Sequence, residues 1–139
     1  GTFRTVLPPK EMPDPRKVNR LIMCSGKVYY DLLEKQRSNG REDTLIVRIE
    51  QLYPFPHDDL DAVLAPYTGI ETAVWCQEEP MNQGAWYSSQ HHMRHALDRT
   101  RKKPRLQYAG RKASAAPASG YPSVHAQEQK QLVEDAFSV

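Results

Sequence analysis

The stretch Leu21-Ile22-Met23-Cys24-Ser25-Gly26-Lys27-Val28-Tyr29-Tyr30-Asp31-Leu32-Leu33 decides the fold. Four apolar residues in a row, without alternation, mark a strand covered on both faces. A glycine turn follows. Val28, Tyr29, Leu32 and Leu33 then recur at i, i+1, i+4 and i+5, which places them on one face of a helix that stops near Asn39-Gly40. The same alternation repeats outward. Leu45 to Ile49 and Ala73 to Cys76 are further buried-strand runs, and Arg105 to Tyr108 is a weaker fourth. Leu60, Val63 and Leu64 form a second helical stripe, with Pro56, Asp58 and Asp59 at its start and Pro66 and Gly69 at its end. Trp86, Gln90, Met93 and Leu97 form a third, and a last helix is expected from an N-cap at about Ser123 through Leu132, Val133, Ala136 and Phe137. Strands alternating with helices at this spacing build βαβ units with right-handed crossovers. The expected fold class is α/β, a three-layer α/β/α sandwich with a mostly parallel sheet.

The remaining segments sort around this frame. The first eighteen residues hold Pro8, Pro9, Pro13 and Pro15, so residues 1–18 are expected to be an extended connector from a preceding domain, and 19–139 the folded domain. Phe3 and Val6 either pin a short edge strand or contact a missing domain. Residues 109–120 read as a small-residue loop before the final helix.

Length and composition set the outer limits. A chain of 139 residues suits one domain with a real core. A mean hydropathy of −0.72 and the absence of any apolar stretch near the roughly 20 residues a bilayer needs exclude a membrane span. The net charge of +2 names no acidic partner, and two cysteines build no disulfide framework, so a reducing compartment is the default. The chain opens Gly1-Thr2-Phe3 without an initiator Met, as expected of a piece of something longer.

In an open parallel sheet, ligands gather at the carboxyl ends of the strands. Those ends carry Ser25, Gly26 and Lys27, then Glu50 and Gln51, then Glu78, Glu79, Asn82 and Gln83, with Ala109-Gly110-Arg111 last. This edge is the expected interface or ligand site. Ser25-Gly26-Lys27 lacks the other residues of a P-loop or a dinucleotide fingerprint and reads better as a plain strand-to-helix turn. Glu78 and Glu79 are adjacent, so on extended chain they point opposite ways, and one facing a neighbouring cation with the other in solvent is preferred to an acid/base pair. His91 and His95 share a helix face, but no third metal ligand is evident, and an exposed helix surface is the better reading. Cys24 and Cys76 end buried strands and read as small core hydrophobes. Arg99, Arg101, Lys102, Lys103 and Arg105, followed by Arg111 and Lys112, have only Tyr108 nearby as a stacking aromatic, so a solvated loop is preferred to a nucleic-acid surface.

Several longer motifs carry a resemblance. Ser25-Gly26-Lys27-Val28-Tyr29-Tyr30-Asp31-Leu32, Val47-Arg48-Ile49-Glu50-Gln51-Leu52-Tyr53-Pro54-Phe55-Pro56 and Trp75-Cys76-Gln77-Glu78-Glu79-Pro80-Met81-Asn82-Gln83-Gly84-Ala85-Trp86 resemble, in order, the C-terminal portion of the decarboxylating first component of the 2-oxoglutarate dehydrogenase complex. Tyr108-Ala109-Gly110-Arg111, Ala115-Ala116-Pro117-Ala118 and Val124-His125 resemble it too, and the wording near Trp86-Tyr87 and His91-His92 is more similar to bacterial members. The resemblance covers about residues 20 to 139. It implies a transketolase C-terminal fold within a homodimeric enzyme that uses thiamine diphosphate and Mg²⁺ to decarboxylate 2-oxoglutarate in the citric acid cycle. Such an enzyme passes the succinyl group to a lipoyl arm of the dihydrolipoyl succinyltransferase, in the bacterial cytoplasm or, in a eukaryote, the mitochondrial matrix. It further implies that two preceding domains hold diphosphate and metal, and no Gly-Asp-Gly of the thiamine signature occurs in these 139 residues. No catalytic, cofactor-binding or metal residue is therefore expected here. The implied role is dimer assembly and active-site enclosure through the strand-end motifs. A regulatory nucleotide or coenzyme A binding module, using Ser25-Gly26-Lys27 or the basic loop, is the alternative; non-specific nucleic-acid binding is a weaker third.

Overall fold

A computed structural model describes residues 6–7, 12–112 and 122–139 of the chain. Its elements run β1 (Val6–Leu7), β2 (Arg20–Cys24), α1 (Val28–Ser38), β3 (Thr44–Ile49), α2 (His57–Leu64), β4 (Thr72–Pro80), α3 (Trp86–Asp98), β5 (Leu106–Arg111) and α4 (Pro122–Ala136). The sheet order is β1-β3-β2-β4-β5; β3, β2, β4 and β5 are parallel, and β1 joins antiparallel through Val6 opposite Ile49. Val6 thus makes the expected edge strand, while Phe3 and Ala115 to Ala118 lie outside the described residues.

Alternation along the strands assigns the two covered faces. Leu21, Met23, Leu45, Val47, Ala73 and Trp75 point to one side, where Leu60 and Leu64 of α2 and Met93, Ala96 and Leu97 of α3 meet them. Ile22, Cys24, Ile46, Val74 and Cys76 point to the other, under Val28 and Leu32 of α1 and Leu132, Val133 and Ala136 of α4. Three layers result. Both faces are apolar because helices cover both, which is why the strand runs lack a polar alternate.

The helix ends follow local chemistry. Asp58 and Asp59 occupy the first turn of α2, and Gly40 takes φ 59° just past α1, a conformation that favours glycine. α4 begins at Pro122, so Ser123, expected at the N-cap position, lies within the first turn; a proline loses nothing at the first helical position, whose N–H is unpaired anyway. Within the expected connector, Pro15–Lys17 makes a turn closed by Lys17 N–H to Asp14 O at 3.0 Å, and Tyr67 Oη donates to Pro13 O at 3.1 Å.

Two arginines hold the far end of α4. Arg20 Nη1 donates to Ala136 O at 3.2 Å and Val139 O at 2.9 Å, and Arg41 reaches Phe137 O at 3.3 Å with its guanidinium over the Phe137 ring. These are the carbonyls a helix C-terminus leaves unpaired. Arg41→Ala is expected to cost about 1 kcal/mol in a urea titration. No change in midpoint would show that Arg41 adds nothing to what Arg20 and the apolar face of α4 already hold.

Candidate functional site

The strand order reverses between β2 and β4, and the crevice beyond their carboxyl ends is where open α/β sheets place ligands. Here an ion pair spans it: Lys27 Nζ lies 3.0 Å from Glu78 Oε1. Gly26, at φ 78°, makes the turn from β2 into α1, and Lys27 occupies the N-cap without a side-chain cap bond. Ser25, Gly26 and Lys27 are thus a strand-to-helix turn tied to the neighbouring strand.

β4 is longer than its apolar run. The pairing of β2 with β4 ends at Cys24 opposite Cys76, yet β4 continues to Pro80 beside β5, with a register shift between Gln77 and Pro80. Glu78 and Glu79, read from the sequence as extended chain just after the strand run, therefore lie on the strand itself. Successive side chains diverge there. Glu78 turns toward Lys27 and α4, and Glu79 is exposed.

Gln77 organises the return of the chain. Its buried amide accepts from Trp75 Nε1 at 2.9 Å, and its Nε2 donates to the carbonyls of Glu79, Pro80 and Gln83 at 3.0, 2.9 and 2.9 Å. Gln83 N–H in turn donates to Pro80 O at 2.8 Å, and Gly84 follows at φ 67°. Residues 77–84 thus wrap around one amide, with Asn82 at the exposed outside.

Arg111 fastens α4 to this edge. Its Nε lies 3.0 Å from Glu128 Oε2, its Nη2 donates to Gln129 Oε1 at 3.1 Å, and its Nη1 donates to Glu78 O. Gln129 Nε2 completes the net with bonds of 2.8 Å to both Asp31 Oδ2 and Glu78 Oε1. With only 11% of the Arg111 side chain exposed, these bonds sit in a weakly screening environment. Arg111→Leu is expected to loosen α4 by about 2 kcal/mol, read as faster amide exchange in residues 124–133 than elsewhere. Uniform exchange would contradict it.

At the end of β3 the edge is aromatic. The Arg48 guanidinium lies 5.7 Å from the Tyr29 ring centre and 5.4 Å from that of Tyr30, and it pairs with Glu50. Gln51 Nε2 donates to Tyr53 O at 3.1 Å. Beyond them Tyr53 is 93% exposed, Tyr87 58% and Tyr30 52%. Tyr53 follows the end of β3, and Tyr30 and Tyr87 stand in the first turns of α1 and α3, so all three lie at the carboxyl edge of the sheet.

The other sequence candidates are structural. Cys24 and Cys76 are buried; burial pushes the Cys24 thiol well above its ordinary range and the Cys76 thiol to about 12, with Glu78 adding to the latter, so neither supplies a thiolate. Arg99 forks onto Asp61, and Lys102 pairs with Glu71 at 2.9 Å, so the basic run is partly neutralised. A cavity of about 290 Å³ beside Asp61, Tyr67, Ala96 and Arg99 lies toward the amino ends of the strands, away from the edge described above. His91 and His95 are exposed, but His92 meets His57, a partner that sequence spacing could not supply. Among the described residues no group of three or more His, Cys, Asp or Glu could hold a metal ion. Nor is any described helix long and apolar enough to cross a membrane.

Comparison with known proteins agrees with the motif resemblance. A family model described as 2-oxoglutarate dehydrogenase C-terminal matches residues 1–137. A 2-oxoglutarate dehydrogenase E1 component of Azotobacter vinelandii is 63% identical over 139 residues, covering 100% of this chain and 15% of that protein. Those of Haemophilus influenzae and Cupriavidus necator are 57% and 49% identical over 138 residues, and the chain spans 14% of each. A match this close and this complete on the side of the shorter partner leaves one assignment: the chain belongs to the 2-oxoglutarate dehydrogenase C-terminal family.

Proposed function

We propose that this chain serves as the C-terminal domain of a 2-oxoglutarate dehydrogenase E1 component, with residues 19–139 as the main body of the folded unit and 1–18, which lend it the edge strand β1, joining it to what precedes. The observation that carries this is 63% identity across the whole chain against 15% of the relative's length. In this reading the domains before it hold thiamine diphosphate and Mg²⁺ and decarboxylate 2-oxoglutarate. The succinyl group then passes to a lipoyl arm of the succinyltransferase. The domain's own work is mechanical: it supports a homodimer and encloses the active site.

The carboxyl edge is the surface proposed for that work. Lys27, Glu78 and Gln83 shape it through internal bonds, Glu50 and Gln51 set the course of the chain toward Tyr53, and Ser25, Gly26, Glu79 and Asn82 complete its polar rim. The exposed Tyr30, Tyr53 and Tyr87 supply the apolar area an interface core needs. A pure sample of the 139-residue chain is expected to show no turnover of 2-oxoglutarate with thiamine diphosphate and Mg²⁺. Measurable turnover would overturn the assignment. Glu79→Lys in the full-length polypeptide is expected to weaken dimerisation or turnover, because Glu79 faces outward and its reversal leaves the internal net intact. Unchanged dimer and turnover would move the interface elsewhere.

A further inference from the structure

The histidines of α3 are not all alike. His91 and His95 are exposed, whereas His92 Nδ1 lies 3.0 Å from His57 Nε2, at the first residue of α2. On its other side, His57 Nδ1 lies 3.2 Å from Arg99 Nη2. Arg99 is itself fixed by Asp61, with contacts of 2.9 Å from Nε to Oδ2 and 3.0 Å from Nη2 to Oδ1. A guanidinium can only donate, so His57 Nδ1 must accept and its proton must sit on Nε2. That proton points at His92 Nδ1, which must therefore accept as well, leaving the His92 proton on Nε2. Asp61, Arg99, His57 and His92 form a one-directional relay, and its geometry is consistent only with two neutral rings.

We propose that this relay is a proton-gated latch: neutral, it ties the start of α2 to the middle of α3 and so holds residues 53–57; protonated, it lets them go. An added proton on His92 Nδ1 would set two N–H groups against each other, and one on His57 Nδ1 would set an N–H against the Arg99 fork. From α2, Asp61 is spent on Arg99, and Asp58 and Asp59 follow His57 in the first turn. From α3, His91 lies 3.9 Å from His92 between ring centres, and His95 stands one turn beyond, so every titratable neighbour on that helix is cationic when charged. From the β3–α2 connection only Phe55 faces His92, stacked at 5.2 Å and 11°, an arrangement that would favour a cation. The balance falls against the charge. Desolvation first, then His91, His57 and His95, hold His92 below its ordinary value of 6.5. The sign follows: a base with a depressed folded value gives stability that is complete above 6.5 and drains away as the pH falls below it.

What the latch holds is the segment with the most exposed aromatic of the edge, since Tyr53 and Phe55 enter α2 through His57. The latch acts whatever surface Tyr53 meets. The test uses the 139-residue chain in side-chain ¹H–¹⁵N spectra and amide exchange at about pH 7.5 and about pH 5.5, either side of an ordinary imidazole value. Both rings are expected as the Nε2–H form at the higher pH. Protection at the Phe55 and His57 amides, corrected for intrinsic exchange, should fall by about ten-fold at the lower pH. Two variants make the result decisive. His92→Phe keeps a ring on Phe55 but removes the titrating nitrogen, and His57→Gln keeps one donor and one acceptor without titrating. In His92→Phe the bond to His57 is absent, so protection should lie near the low-pH level at both pH values, and in His57→Gln it should stay near the neutral-pH level at both. Finding either ring in the Nδ1–H form, equal protection at both pH values in the unsubstituted chain, or the same pH-dependent loss in both variants would overturn the latch.

Discussion

Gln77→Leu is expected to destabilise the domain by about 3 kcal/mol and lower its melting temperature by about 10 °C. The side chain is nearly isosteric, so the loss is one of pairing and not of packing. Leucine leaves the Trp75 indole N–H without its acceptor at 2.9 Å and three carbonyls, those of Glu79, Pro80 and Gln83, without their shared donor. Trp75 is buried, so its N–H cannot turn to water. The Glu79 and Gln83 carbonyls lie nearer the surface and recover part of the loss by hydration, which keeps the total below the sum of the separate penalties. Residues 79–84 should exchange their amides fastest in this variant. A loss under about 1 kcal/mol would mean that the loop holds its shape without the amide.

Gly110→Ala is expected to cost about 2–3 kcal/mol, more than alanine at Gly26 or Gly40, whose φ values are positive. The reason is space and not dihedral. A Cβ on Gly110 would stand 2.8 Å from Gln77 O and 2.7 Å from Tyr108 Cζ, and closer still to Tyr108 Oη. One neighbour is the backbone of the paired strand, and the other is a ring anchored by an Oη bond of 2.8 Å to Arg111 O and packed 5.1 Å from Trp86. Neither yields easily. At Gly26 and Gly40 nothing stands within 4 Å, so alanine there pays only for its left-handed backbone, about 1 kcal/mol. A double variant with Tyr108→Leu should recover only the part of the loss that belongs to the ring. Full recovery would show that the Gln77 carbonyl can move, and no loss in the single variant would show that β4 and β5 are more compliant than their register suggests.

The frame of the domain is legible because apolar runs and stripes are local signals. Leu21 to Cys24 must be covered on both faces, and Val28 with Leu32 must lie on one side of a helix; together these dictate strand, turn, helix and layer. β4 escapes such a reading because its last four residues are Gln-Glu-Glu-Pro. They continue as strand by pairing with β5 alone, and their side chains meet a returning loop and α4 instead of the core. The Gln77 amide has the same cause: its meaning depends on Gln83 coming back to it. Arg20 and Arg41 at the end of α4 and His57 against His92 are contacts between elements far apart in the chain, and no spacing rule reaches them. The carboxyl edge was visible as a concentration of polar residues. Which of them face inward was settled by Arg111 and Gln129, whose partners come from three other elements.

In the function proposed above, the carboxyl edge faces the rest of a longer E1 component. Amide exchange of the full-length polypeptide, compared with that of the 139-residue chain under the same conditions, measures this directly. Residues 50–56 and 81–87 are expected to exchange at least about ten-fold more slowly in the longer protein, while α2 and the outer surface of α4 exchange alike in both. Equal exchange at Tyr53 and Tyr87 in the two samples would contradict it.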